Sequence, residues 1–169
     1  MLTPITITIT ITLDIGFLLW AIPLTYNDIR YHRLPRPLTL GAIAVMLAAG
    51  ILLWATTALI TNDPSRWHTH LATAAAGALS LRLLYRLLHH CAPNSLGRGD
   101  VTLALPLGAF LGWHSIDTLI FGAWLGFAFS GITALTLLLT RQAHRHTHIP
   151  HGPAMLIGAA CAISAGHLT

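Results

Sequence analysis

Apolar runs at about 5–26, 38–60, 70–90, 101–113, 117–140 and 152–168 divide almost the whole chain into segments with little to offer water. A helix crossing about 30 Å of hydrocarbon needs roughly 20 residues, within a range of about 17–25. The linkers between the runs are short and rich in Pro, Gly, Asn, Asp or His, as helix-breaking turns should be. Only 8% of the 169 residues are charged and the mean hydropathy is +0.69, whereas soluble domains carry about 25% charged residues. Every base is Arg and every acid is Asp; the Lys and Glu that solubilise water-facing helices do not occur. These features predict an all-α, polytopic membrane protein with about six transmembrane helices. Residues 1–169 then form a single domain within the lipid bilayer.

The high isoelectric point, about 9.8, does not point to nucleic acid. Its basic charge sits in short loops, not on the continuous basic face that a nucleic-acid binder needs. Cys91 and Cys161 are far apart and no CxxC pair occurs, so two free thiols are expected. The N-terminus has no basic region ahead of its apolar run and no small-residue cleavage site after it, which reads as a retained helix.

Three segments need an argument of their own. Ile and Thr alternate from Ile5 to Thr12, a strand-like period in water. A lone strand in a bilayer leaves its backbone unsatisfied, so helix is expected. Asp14 is read as a helix cap, or as marking the true helix start near the outer surface. Arg82 and Arg86, four apart on one helical face, are expected to snorkel to the interface. The run from Val101 to Trp113 covers only about 20 Å. Either that helix continues past Trp113-His114-Ser115, or its start at Asp100 lies recessed below the membrane surface.

With six spans, alternate linkers fall on alternate sides. One set holds Arg30, Arg33, Arg36, Arg82, Arg86, Arg98, Arg141 and Arg145, and the other only Arg66. The positive-inside rule makes the first set cytoplasmic and puts both termini outside. Asp28 and Asp100 then share the cytoplasmic side. Asp63 and Asp117 belong to outer loops, and Asp14 to the outer half of its helix.

Carboxylates at a membrane boundary are costly and mark candidate functional groups. Two that meet can hydrolyse a peptide: the ionised one deprotonates water, and the protonated one hydrogen-bonds the scissile carbonyl. Repulsion and partial desolvation raise one of the two pKa values and create that asymmetry. Asp28 and Asp100 are the pair expected to do this. Gly97 and Gly99 permit φ > 0 and carry no Cβ, so an extended substrate could lie against their loop. A helix beginning just after Asp100 favours a carboxylate there. Pro35 and Pro37 stiffen the exit from the first helix. A lone Asp at a helix end is usually a cap, so the functional reading of Asp100 rests on its pairing with Asp28.

His144, His146, His148 and His151 form a tract that could bind zinc or nickel. No carboxylate or thiol accompanies it. A polar cytoplasmic loop is expected, and neither a metal nor another cofactor is predicted. His89 and His90 read as interface residues.

Three blocks in order give the chain a family resemblance: Asp28-x-Arg30 with Leu34-Pro35; Gly97-Arg98-Gly99-Asp100-Val101 with Leu103 and the run Leu107 to Trp113; and Ile149-Pro150-His151-Gly152-Pro153. Over essentially its whole length the chain resembles the type IV prepilin peptidases, the GxGD aspartic membrane proteases. The resemblance implies cleavage of a prepilin or pseudopilin leader on the cytoplasmic side, just after a glycine, with Asp28 and Asp100 catalytic. It assigns Gly97, Gly99, Arg30, Pro35, Pro150, Gly152 and Pro153 to loop geometry and substrate binding. Larger members add a CxxC-bearing cytoplasmic domain and methylate the new N-terminus; that domain has no counterpart here, so methyl transfer is not expected. Two positions depart from the family pattern, Thr102 where Lys is common and Arg36 where Asn is common.

The leading expectation is therefore an aspartic endopeptidase whose substrate has a short basic leader and an apolar helix. The alternatives are a small transporter or proton relay built on membrane aspartates, and an inactive pilus-assembly scaffold. No inverted repeat supports transport. The stretch from Cys91 to Gly99 is expected to be mobile, and the oligomeric state is left open.

Overall fold

The computed structural model describes residues 4–31, 65–92, 96–141 and 151–167, with positions 37, 41, 44, 45, 48 and 52 in between. Regular structure among them is entirely helical: α1 (Pro4–Tyr31), α2 (Ser65–Cys91), α3 (Arg98–His114), α4 (Ile116–Leu139) and α5 (Gly152–Gly166). The in-between positions are helical too; all but 37 fall in the apolar run 38–60, most of which lies outside the described residues. The Ile-Thr alternation is helical, as bilayer physics requires.

Small residues bring the helices together. A Cβ on Gly77 of α2 would collide with the Gly108 carbonyl oxygen of α3, and one on Gly112 with the Thr73 carbonyl oxygen. Gly108 and Gly112 are four apart, so one face of α3 lies backbone-to-backbone against α2. Gly122 and Gly126 of α4 repeat the spacing, and Gly158 of α5 packs on their backbone. Without water to drive apolar association, close backbone packing of this kind holds membrane helices together. Larger side chains fill the centre: Phe17 and Leu24 from α1, Leu81 from α2, Leu103 and Phe110 from α3, Met155 from α5. Phe17 stacks on Phe110 with ring centroids 4.3 Å apart, which ties α1 to α3.

The outside is as apolar as the inside. Residues 68–91 and 116–139 are long and apolar enough to cross a membrane, yet only 17% and 11% of their apolar windows are buried. Core helices of a soluble protein would be mostly buried. Here Leu79, Leu83, Ile120, Trp124 and Leu139 face outward, the arrangement of helices solvated by lipid. These features mark a membrane protein.

Two expectations are corrected. Asp14 neither caps α1 nor marks its start: it lies ten residues beyond Pro4, inside the helix. Its carboxylate instead contacts His114 Nε2 at 3.0 Å and His167 Nε2 at 2.8 Å. Of the two alternatives for the run after Asp100, continuation past Trp113 fails. The helix ends at His114 because Ser115 is extended and caps α4, accepting from the Thr118 N–H at 2.9 Å.

Candidate active site

The helical periodicity of α1 explains why a carboxylate near its end points inward. Phe17, Leu24 and Asp28 are buried, and offsets of seven and four place them on one face. In α3 the buried residues Asp100, Leu103, Ala104, Leu107, Phe110 and Leu111 follow the same rule. The two apolar stripes that form the core therefore deliver both aspartates to the same end of the bundle. Each is only 6% exposed.

Asp100 occupies the first turn of α3, one residue before the apolar run. Its Oδ2 accepts from the Gly97 N–H at 3.1 Å, so it also serves the capping role that a lone Asp would have. Asp28 and His89 both lie within electrostatic reach of its carboxylate. The two carboxylates thus meet electrostatically at one end of the bundle.

A second contact also holds the loop before Asp100. His89, near the end of α2, donates from Nδ1 to the Leu96 carbonyl at 2.7 Å; a carbonyl can only accept. Gly97 is extended, with φ −71° and ψ 149°, and Gly99 lies inside α3. Among described residues no glycine has positive φ, so the expected left-handed role of Gly97 and Gly99 is not used. The expected mobile stretch, 91–99, includes residues 93–95, which lie outside the described residues.

His151 corrects the reading of the histidine tract. It is not part of an exposed loop: it is 6% exposed at the N-cap of α5. Its Nε2 meets the buried Tyr85 hydroxyl at 2.8 Å, and its Nδ1 meets Ser130 Oγ at 2.7 Å. Burial pushes its pKa down from 6.5 to about 4, so the ring is neutral. Tyr85 also lies within electrostatic reach of Asp100, which joins α2, α4 and α5 to the acidic pair. Sequence reading missed Tyr85 and Ser130. The available signal was polar atoms within apolar runs, which need partners in a dry interior.

Among the other expected site residues, Gly152 is buried in the first turn of α5 with Pro153 beside it. Arg30 is exposed, its guanidinium 5.9 Å from the Tyr26 ring centroid. Pro35, Pro150, Arg36, His144, His146 and His148 lie outside the described residues. Thr102 donates to the Arg98 carbonyl at 3.1 Å within its own helix. Both cysteines are free and exposed, as expected.

Fold and site together define a helical membrane protein with a buried carboxylate pair at one end of its bundle. Residues 15–140 match the model of the type IV leader peptidase family, a stretch that contains both aspartates. The chain belongs to that family and is a type IV leader peptidase-like protease. No curated protein and no solved structure matches it.

Proposed function

We propose that the chain is an aspartic endopeptidase of the cytoplasmic membrane that removes the leader peptide from type IV prepilin-like substrates. The observation that supports this reading is the buried carboxylate pair at one end of the bundle, with Asp28 within electrostatic reach of Asp100. Asp100 keeps the proton and hydrogen-bonds the scissile carbonyl, while ionised Asp28 takes a proton from the attacking water. The tetrahedral intermediate then collapses, and the amine leaves with a proton from the pair. The substrate's apolar helix docks among six spans, and its leader reaches the arginine-rich cytoplasmic face. α3 runs from Arg98 to His114, and in this reading Asp100, in its first turn, lies recessed below the membrane surface. The Gly97-to-Asp100 loop, Arg30, and the Pro35, Pro150, Gly152 and Pro153 positions would shape the cleft around that substrate. No cofactor is needed for this chemistry.

Co-expression with a candidate prepilin, followed by gel shift, tests the proposal. Wild type should remove the leader, and Asp28→Asn and Asp100→Asn should each abolish removal. Processing that persists in both variants would overturn it. A proton-relay reading would gain support instead if these variants lost a membrane proton flux and wild type cleaved nothing.

A further inference from the structure

A second polar cluster lies at the other ends of the helices that carry the acidic pair. Asp14 precedes Asp28 by 14 positions in α1, and His114 follows Asp100 by 14 in α3. Both offsets correspond to roughly 21 Å of helix. At that far end Asp14, His114 and His167 place their ligand atoms within 4.8 Å of one another. Each comes from a different part of the fold: α1, the last residue of α3, and the C-cap of α5.

Counting donors shows that this cluster calls for a positive charge. His114 Nδ1 lies 3.0 Å from the Phe110 carbonyl oxygen, which can only accept, so Nδ1 carries the proton. A neutral ring then presents a lone pair at Nε2. That atom faces Asp14 Oδ1 at 3.0 Å, a second acceptor. Two acceptors at this distance need a positive charge between them, either a second ring proton or a metal ion. The Nδ1–H to carbonyl bond is also the arrangement that orients metal-binding histidines.

We infer that Asp14, His114 and His167 form a binding site for a divalent transition-metal ion of the zinc type. Two imidazoles and one carboxylate suit Zn²⁺ and leave a fourth position open. Bonds of about 2.0–2.1 Å to tetrahedral zinc hold ligand atoms roughly 3.3 Å apart. The 3.0 Å and 2.8 Å contacts to Asp14 therefore open by a few tenths of an ångström, while the two imidazole nitrogens, within 4.8 Å of each other, draw together. His167 is half exposed at a helix end and free to adjust. The fourth position has an approach route: a cavity of about 500 Å³ is lined by His114 and His167 together with Ser115, Asp117 and Thr118. An ion here would clasp α1, α3 and α5 at the face away from the acidic pair. The site is independent of the proteolytic reading, and neither depends on the other.

The test uses the full chain, purified in detergent without a polyhistidine tag and dialysed against chelator-buffered Zn²⁺. Wild type should retain one equivalent, and the triple variant His144→Ala/His146→Ala/His148→Ala should retain it too. His114→Ala and His167→Ala should each weaken retention at least 100-fold. Co²⁺ in the wild-type site should give the intense visible absorption of tetrahedral coordination, and His167→Ala should lack it. Because His167 caps a helix end, the His167→Ala protein should melt with the wild-type profile in chelator, showing an intact fold. Zn²⁺ should raise only the wild-type melting temperature. Loss of the ion in the triple variant, its survival in Asp14→Asn/His114→Ala, or no retained equivalent in wild type would overturn the inference.

Discussion

Tyr85 and His151 stand 66 residues apart in the chain, and the phenol oxygen of one lies 2.8 Å from Nε2 of the other. A neutral imidazole has one donor and one acceptor nitrogen. With Ser130 Oγ at Nδ1, both nitrogens are satisfied at once. The ring is also flanked by Tyr85 and Phe127, at 5.6 Å and 5.5 Å between centroids. This contact joins α2 and α4 to the start of α5 immediately beside the acidic pair.

Tyr85→Phe removes the hydroxyl and leaves one His151 nitrogen buried without its partner. Such a group costs about 1–3 kcal/mol. The variant should lower the midpoint of thermal unfolding in detergent by several degrees. Tyr85→Phe/His151→Phe, with both polar partners replaced, should recover part of that loss, which a double-mutant comparison of melting curves would detect.

His151 also sets a pH dependence. Burial holds its pKa near 4 in the folded state against 6.5 for an ordinary histidine. The unfolded chain therefore binds more protons between those values, and the contribution to stability is complete above about 6.5 and declines as pH falls toward 4. Melting temperature should therefore fall as pH is lowered from 7 toward 4. In Tyr85→Phe/His151→Phe that part of the slope should be gone, which melting curves across this range would detect.

At pH 8, Asp100→Asn should melt at or above wild type, because a buried carboxylate no longer has to ionise. Its side-chain carbonyl can still accept from the Gly97 N–H, now 3.1 Å from Oδ2. Asp100→Ala loses that acceptor and should melt below Asp100→Asn, by the roughly 1 kcal/mol typical of a helix cap. Equal melting of the two variants would show that the cap contributes nothing.

Leader cleavage should decline at alkaline pH. The proposed acid must be protonated, and raising the pH removes that proton. On the alkaline limb, kcat/KM should drop roughly tenfold per pH unit. A rate that stays flat to pH 9 would remove Asp100 from the acid role.

Gly108→Ala places a methyl group against the Gly77 carbonyl on a facing backbone that cannot step aside. The pair α2 and α3 should separate, with a loss of at least about 1–3 kcal/mol, the usual range for overpacking. Gly16→Ala is the control. A Cβ there meets nothing within 4 Å, so the better helix former should leave the melting curve unchanged or raise it by up to about 1 kcal/mol. Steric-trap or thermal unfolding measurements would rank the two.

The solvent was legible in the amino-acid order: a chain with no Lys or Glu, and with long apolar runs joined by short linkers, suits lipid. That order also marked Asp28 and Asp100, because carboxylates bordering apolar runs need a reason to be there. Helical period alone put each on its buried stripe. What sequence could not supply was partnership at long range. Asp14 read as a cap because capping is a local property, whereas its partners His114 and His167 lie 100 and 153 positions away. His151 read as one of a loop tract because its neighbours in sequence are histidines, yet its neighbours in space are Tyr85 and Ser130. These pairings come from packing, since the glycine faces of α3 and α4 set which helix ends come together. A polar atom in a dry interior takes whatever partner that packing brings within about 3 Å.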